Sequence, residues 1–159
     1  MKLQTMKTYS LSHPQAVVND IHISPVEISP ADLLKTYHHP EAGAIVLFSG
    51  EVRTDSQKEV LYLDYEVHVP LAEKMIHEIL LEACAKWNLK MALCIHRSGK
   101  VRVSEAAVVV ITASRHRKEA YEANQYIINR VKHEAPIWKR EYFADGTNEW
   151  GHNCSCSTS

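Results

Sequence analysis

A run of basic side chains stands where the sequence predicts the start of a helix. Residues 114–118 read SRHRK, and Ser114 is a suitable N-cap for a helix over about 115–133. Cations in a first helical turn are repelled by the positive end of the helix macrodipole, and each lowers the stability of the helix by about 0.3–1 kcal/mol. Free backbone N–H groups beside these arginine and histidine side chains would bind an anion, most simply a phosphate. The alternative is a solvated turn whose cations pair with Glu119, Glu122 or other carboxylates.

Two lysines further along the chain could carry proton chemistry. Lys132 falls in the last turn of the same predicted helix, where a cation is favourable, so a surface role explains it as well. Lys139 follows Trp138 in a predicted strand, and a large aromatic neighbour can partly desolvate an ammonium group. A desolvated lysine among other cations can act as acid, base or nucleophile near neutral pH. From the residues alone, catalytic and structural roles stay open for both.

Arg53 ends a run of apolar residues. The segment from Gly43 to Arg53 starts with continuous apolar residues, which predicts a strand buried on both faces. The side chain of a residue at the end of such a strand is held in place and still reaches solvent, so Arg53 could bind an anion. The position is equally compatible with an ordinary surface arginine at a strand end. His96 and Arg97 close another predicted strand beside a glycine turn, and we interpret them as mainly structural.

The elements that must position these residues mix helices and strands without strict alternation. This predicts the α+β class, with a mixed sheet and packed helices. Apolar residues at helical spacing predict a helix from Pro70 to about Trp87, and Ser29-Pro30 predicts the start of a shorter one. Strands are predicted over 59–68, 91–96, 106–113 and 137–143. Residues 1–19 are predicted to be a flexible N-terminal arm, 20–150 a single domain, and 151–159 a disordered tail.

Composition limits the class of protein. The 159 residues are 45% hydrophobic and 23% charged, which is typical of one globular domain. No apolar run approaches the roughly 20 residues of a membrane-spanning helix, and the first residues do not resemble a secretory signal. We therefore expect no membrane association and a cytoplasmic location.

The charges are segregated along the chain. The formal net charge is −1, yet residues 115–140 hold seven lysines and arginines against three glutamates. A basic segment raises the possibility of nucleic-acid binding, which normally also uses aromatic side chains on the basic face. Only Tyr121, Tyr126 and Trp138 are available in this segment, and the net charge is wrong for that function. We therefore expect no nucleic-acid partner.

Cysteine and metal chemistry are not predicted. Cys84 and Cys94 fall in apolar periodic segments, where thiols are usually buried and inert. His152, Cys154 and Cys156 in the tail match no four-ligand zinc pattern, so no metal site is expected. The sequence also lacks a glycine-rich phosphate loop and the HExxH and GxSxG motifs.

Taken together, these stretches resemble one family, the large catalytic subunit of molybdopterin synthase. The likeness runs in family order over about residues 20 to 150, and the part from the basic run through PIWKRE is the most specific. The matching stretches are GAIVLFSGEVR (43–53), LYLDYEVHVPLAEKM (61–75), IHRSGKVRVSEAAVVV (95–110), SRHRKEAYEANQYIINRVKHEAPIWKREYF (114–143) and DGTNEW (145–150).

The resemblance implies a fold, an activity and partners. The fold would be α+β with an α/β hammerhead-like part. The activity would be sulfur transfer: two sulfur atoms are installed on cyclic pyranopterin monophosphate to form the dithiolene of molybdopterin. The sulfur would arrive as a thiocarboxylate on the C-terminal glycine of a small ubiquitin-like subunit. Two large subunits would form a homodimer at the core of a heterotetramer, and no cofactor is expected.

The resemblance also implies which residues form the pocket. Lys132 and Lys139 match the lysines regarded as catalytic in the family. A carboxylate in the pocket could pair with the donor edge of the pterin. The positions that match the substrate-binding pocket are Glu51, Val52, Arg53, His116, Arg117, Lys132, Lys139, Arg140 and Glu141.

A different class of function stays open on the residues alone. A non-catalytic phosphate- or nucleotide-binding module could use the same basic turn. Such a module would leave Lys132 and Lys139 dispensable, whereas a sulfur-transferring enzyme would not.

Overall fold

The computed structural model describes residues 15–151, which form two β-sheets and three helices. The helices are α1 (Pro30–Thr36), α2 (Val69–Trp87) and α3 (Arg117–Glu134). The strands are β1 (Val17–Val18), β2 (Ile23–Ser24), β3 (Ala44–Glu51), β4 (Val60–Val67), β5 (Met91–Arg97), β6 (Gly99–Arg102), β7 (Ala106–Ser114), β8 (Ile137–Phe143) and β9 (Asn148–Trp150). Within residues 15–151, none of the helices has the length and apolar composition needed to cross a bilayer.

The first sheet is mixed and carries most of the core. Its strand order is β1-β5-β7-β3, with β2 also paired to β5; β1 and β2 run parallel to β5, while β7 is antiparallel to both neighbours. The apolar stripes of α2 and α3 cover one face, and residues of α1 pack on the other. The predicted α+β class, with a mixed sheet and packed helices, is confirmed.

Helix α3 is fixed to the first sheet by buried polar contacts as well as by apolar packing. The Asn124 Nδ2 group donates to the carbonyls of Val46 and Val110, at 3.1 Å each. The Thr112 hydroxyl donates to the Ala120 carbonyl over 2.7 Å. Because buried polar groups are costly to leave unpaired, these contacts fix where along β3 and β7 the helix lies.

The second sheet is antiparallel, with the order β6-β4-β8-β9. It meets the first sheet at a small apolar cluster that includes Val52, Leu63, Val101 and Phe143. Asp145 and Gly146 form the turn into β9, and Gly146 has a φ of +84°, a conformation that favours glycine. The open end of this junction forms the cavity described below.

The predicted helices over 70–87 and 115–133 are confirmed within two residues, but the expected cap of α3 is wrong. Ser114 does not cap α3, because β7 continues through it. The N-cap is His116, which makes no side-chain hydrogen bond to the first turn. The Ser114 hydroxyl instead donates to the His116 carbonyl.

Two expectations about strand burial also need correction. Strand β3 is not buried on both faces, because none of its residues is fully buried and Ile45 is half exposed. Among residues 15–151, β3 is an edge strand that pairs with β7 alone. In β4, the alternation of residues 59–68 predicts a half-buried strand in which Leu61, Leu63, Tyr65 and Val67 face the same way. A register shift between Val60 and Tyr62 interrupts the alternation and leaves Leu61 exposed.

Residues at the inner ends of the predicted arm and tail contact the rest of the described chain. Val17 and Val18 form β1, and the buried Asn19 side chain hydrogen-bonds the backbone of Cys94 in both directions. The amide of Gly151 donates to the Lys139 carbonyl over 2.9 Å. Residues 1–14 and 152–159, with Cys154 and Cys156, lie outside the described residues.

Two histidines are buried between the first sheet and its helices. The Nδ1 groups of His22 and His96 lie 2.9 and 2.7 Å from the carbonyls of Cys94 and Arg97. Since a carbonyl only accepts, both Nδ1 atoms carry hydrogen. Burial lowers the pKa of His22, and it lowers the pKa of His96 to about 4. Both rings are therefore neutral near pH 7.

These two histidines make the stability of the fold depend on pH. Below pH 6.5 the unfolded chain binds protons at these histidines that the folded chain does not bind, down to about pH 4 in the case of His96. The free energy of unfolding is therefore highest above pH 6.5 and decreases as the pH is lowered. For His96 alone, the loss approaches roughly 3 kcal/mol near pH 4. Urea unfolding at pH 7.5 and 4.5 measures it. A His96→Gln variant should show a smaller difference between the two pH values; an unchanged difference would contradict the assignment.

Candidate active site

A cavity of about 560 Å³ opens at the junction of the two sheets. Its wall is formed by the end of β3 and the loop after it, the inner faces of β4 and β8, the end of β5, and the last turn of α3. Six of the nine predicted pocket residues line it: Glu51, Val52, Arg53, Lys132, Lys139 and Glu141.

Separate elements hold the two lysines in place. Lys132 lies in the last turn of α3, next to the buried Val131. Lys139 lies on β8, where Ile137, Lys139, Glu141 and Phe143 share the cavity face. The lysine stem is packed so closely against Gly151 that an added Cβ at Gly151 would lie 2.6 Å from its Cε. Any side chain at that position would displace the lysine.

The end of β3 is held by its backbone. The Val52 amide donates to Glu105 over 3.0 Å, and its carbonyl accepts from Ser104 over 2.7 Å. The Val52 side chain is buried in the junction cluster. Arg53, the next residue, therefore starts from a fixed backbone at the edge of the cavity, as its position at a strand end predicted.

Arg140 does not line the cavity. Alternation along β8 places it on the opposite face from Lys139 and Glu141. There its Nε donates to the Asn148 side chain over 2.8 Å, and its guanidinium lies 5.3 Å from the centre of the Trp150 ring. In one chain, Arg140 and the cavity residues of β8 therefore lie on opposite faces of the second sheet.

His116 and Arg117 are also absent from the cavity, because they lie at the other end of α3. Fifteen residues of helix separate Arg117 from Lys132, which corresponds to about 22 Å along the axis. Next to them, Arg115 borders a smaller cavity of about 240 Å³ with Glu41 and Lys90. In one chain, the predicted basic residues therefore lie in two distant places, the cavity and the N-terminal end of α3.

His96 lines the cavity, although the sequence indicated only a structural role. Its backbone amide donates to the His22 carbonyl over 2.7 Å, and its ring meets that of Tyr65 edge to face at 4.9 Å. Burial, and next Glu141, raise the pKa of Tyr65 to about 12, so its hydroxyl stays protonated. These two uncharged polar groups lie among charged ones. The sequence signal for His96 was a polar residue in an otherwise buried strand.

The charges around the cavity balance within one chain. The cations are Arg53, Lys58, Lys132 and Lys139, and the carboxylates are Glu51, Asp55, Glu141 and Glu149. Lys58, which sequence reasoning missed, lies 4.0 Å from Glu149 and 3.8 Å from the centre of the Phe143 ring. Net charge alone therefore gives one chain little preference for an anionic ligand.

Two kinds of reactive group, clustered metal ligands and ionised thiols, are not found within residues 15–151. No cluster of three or more histidine, cysteine or carboxylate side chains is arranged to hold a metal there. Burial raises the pKa of both Cys84 and Cys94 to about 12, so neither thiol ionises near neutral pH. The arrangement suits binding and proton transfer by lysine instead.

Comparisons with known proteins identify the family of this chain. The family model described as MoaE protein matches residues 23–134. A molybdopterin synthase catalytic subunit of Thermoplasma volcanium is 40% identical over 131 residues, which cover 82% of this chain and 96% of the relative. The one from Bacillus subtilis strain 168 is 41% identical over 129 residues, covering 80% and 82%.

Solved structures give the same result. The crystal structure of molybdopterin synthase from Staphylococcus aureus superposes with a TM-score of 0.77 at 35% identity, covering 84% of this chain and 98% of the other. The family match, the identities and the shared fold agree, and the chain belongs to the MoaE protein family.

Proposed function

We propose that this chain is the catalytic subunit of a molybdopterin synthase and that the cavity at the sheet junction is its active site. The reaction is the transfer of two sulfur atoms to cyclic pyranopterin monophosphate, forming the dithiolene of molybdopterin. The relatives named above are catalytic subunits of that enzyme. The observation that carries the site assignment is that Lys132 and Lys139, from two different elements, line one cavity with Arg53.

The sulfur donor is a small ubiquitin-like subunit with a C-terminal glycine thiocarboxylate. Its sulfur forms a bond to a pterin carbon as an oxygen leaves, and water then cleaves the acyl–sulfur bond to release a carboxylate. This chain must hold the anions, orient the thiocarboxylate and supply protons. The unreactive thiols of Cys84 and Cys94 are compatible with a sulfur atom that comes from the partner.

The lysines have three chemical options in this reaction. An ammonium group can pair with the thiocarboxylate, protonate the leaving oxygen, or, once deprotonated, capture the acyl group as sulfur departs. Arg53 and the lysines would also bind the substrate phosphate. Glu141, on the same face of β8 as Lys139, is a suitable acceptor for the donor edge of the pterin.

A second copy of the chain is the source we propose for His116 and Arg117. Their distance of about 22 Å from Lys132 is too great for one chain to place them in the same site. The cavity of one chain has no excess of positive charge, although its substrate is an anion. A two-fold dimer that brings His116 and Arg117 to the neighbouring cavity would supply that excess.

Removal of the Lys139 amine tests the catalytic role. We expect Lys139→Ala to lower turnover about 100-fold or more, because a positioned proton donor or acceptor contributes that much. The assay mixes the purified protein with thiocarboxylated small subunit and the cyclic pterin, and measures the dithiolene product. Thermal unfolding and binding of the small subunit should stay close to those of the unmodified protein.

Lys74→Ala is the matched control for Lys139→Ala. Lys74 is an exposed lysine on α2 that pairs only loosely with Glu78, at 3.8 Å. We expect this control to keep full activity. Undiminished turnover of Lys139→Ala would refute the catalytic role, and it would favour a non-catalytic phosphate-binding module.

Mixing two inactive variants tests whether the site is shared between copies. In a shared site, Lys139 comes from one chain and His116 from the other. A dimer of one Lys139→Ala chain and one His116→Ala chain therefore has one site in which both residues are intact. If equal amounts of the two variants are mixed and their chains exchange freely, half of the dimers are mixed and each has one intact site. The mixture should therefore recover roughly a quarter of the activity of the unmodified protein. If both residues belonged to the same chain's site, the mixture would stay as inactive as its components.

A further inference from the structure

His96 presents an unused hydrogen-bond acceptor in the cavity that Lys132 also lines. Its Nδ1–H is committed to the Arg97 carbonyl, at 2.7 Å, which leaves the lone pair of this neutral ring on Nε2. Within residues 15–151, no protein group hydrogen-bonds that Nε2, and no carboxylate or other acceptor contacts the Lys132 ammonium. Both side chains line the same cavity.

The backbone fixes the direction of the His96 ring. The His96 amide is held by the His22 carbonyl, and the ring is held at one edge by Arg97 and packed against Tyr65. The residue is 8% exposed, so the ring has little freedom to rotate away. The long Lys132 side chain is the adjustable member of the pair.

Charged and titratable groups surround this pair on several elements. Lys132 is close enough to His96 to contribute to the low pKa of the imidazole, after burial. The other such groups that line the cavity are Glu51, Arg53, Asp55 and Lys58 at and after the end of β3, Tyr65 on β4, Lys139 and Glu141 on β8, and Glu149 on β9.

We infer that His96 is a positioning residue for Lys132: its Nε2 accepts one N–H of the ammonium group and so directs the other two toward the bound substrate. The inference rests on the proposed function. A carboxylate could also orient a lysine, but it would cancel the positive charge that an anionic substrate needs. A neutral acceptor orients the ammonium group and leaves its charge intact.

Two substitutions separate this role from a structural one. His96→Gln can place an amide oxygen near the Nε2 position, but it loses the donor to Arg97. His96→Asn can keep an amide donor near the Nδ1 position, but it has no acceptor toward Lys132. If His96 positions Lys132, His96→Asn should lower kcat about 10- to 100-fold with a smaller change in KM, and His96→Gln should recover much of the loss. A structural role predicts the opposite order, with His96→Gln the worse variant.

A double substitution tests whether His96 acts through Lys132. In a Lys132→Ala background, His96→Asn should cause no further loss of single-turnover rate, because the group to be positioned is gone. In a Lys139→Ala background it should still lower the rate. Equal losses in both backgrounds would overturn the inference while leaving the sulfur-transfer function intact.

Nitrogen NMR of the imidazole gives a result that does not depend on activity. In the complex with the small subunit in its carboxylate form, Nε2 should resonate as an unprotonated acceptor at pH 7. Lys132→Met should move that resonance toward the position of a free nitrogen, and Lys139→Met should leave it in place. If the unmodified complex makes no dithiolene, the proposed function fails and this measurement still decides the His96–Lys132 contact. A protonated Nε2, or a resonance indifferent to Lys132, would disprove it.

Discussion

The length and attachment of α3 decide which of the basic residues can act together. The helix spans 18 residues, about 27 Å, and carries basic side chains at both ends. Its position is fixed by the amide of Asn124, which reaches the backbone of both β3 and β7, and by the bond from Thr112 to Ala120. A rigid element of this length keeps the basic first turn and Lys132 apart in one chain. A site that uses both ends of α3 must therefore combine two copies.

The junction of the two sheets supplies the other side of the cavity. Strand β8 belongs to the second sheet, yet it follows directly from α3, which packs on the first. The short connection through Ala135 and Pro136 therefore brings Lys132 and Lys139 from two layers to one opening. The buried cluster around Val52 and Phe143 closes the bottom of the junction. Because the lysines sit on regular, well-packed elements, their backbone positions need little reorganisation when ligands bind.

Much of this arrangement was readable from sequence periodicity, and the failures share a physical cause. The apolar stripes of α2 and α3 and the alternation of β8 depend on local spacing, so the elements were predicted well. The same alternation places Lys139 and Arg140 on opposite faces of β8, although the family resemblance assigned both residues to one pocket. The burial of β3 and the exposure of Leu61 depend on which strands are neighbours and on a register shift, which spacing does not encode. The role of His96 required knowing that the end of β5 meets the end of α3.

The polar groups of the cavity differ in what they can do for an anionic substrate. Four carboxylates offset four cations, so the lysines attract an anion only where they are not already paired. Lys58 has Glu149 as a neighbour, whereas Lys132 has no acidic partner within residues 15–151 and shares its cavity with a neutral imidazole, that of His96. In a partly desolvated site, an ammonium group held by a neutral acceptor keeps its full attraction for a thiocarboxylate or phosphate. Burial of His96 keeps its imidazole neutral at neutral pH, so the ring neither repels nor cancels the positive charge of the Lys132 ammonium group. The same burial lowers the stability of the fold at low pH.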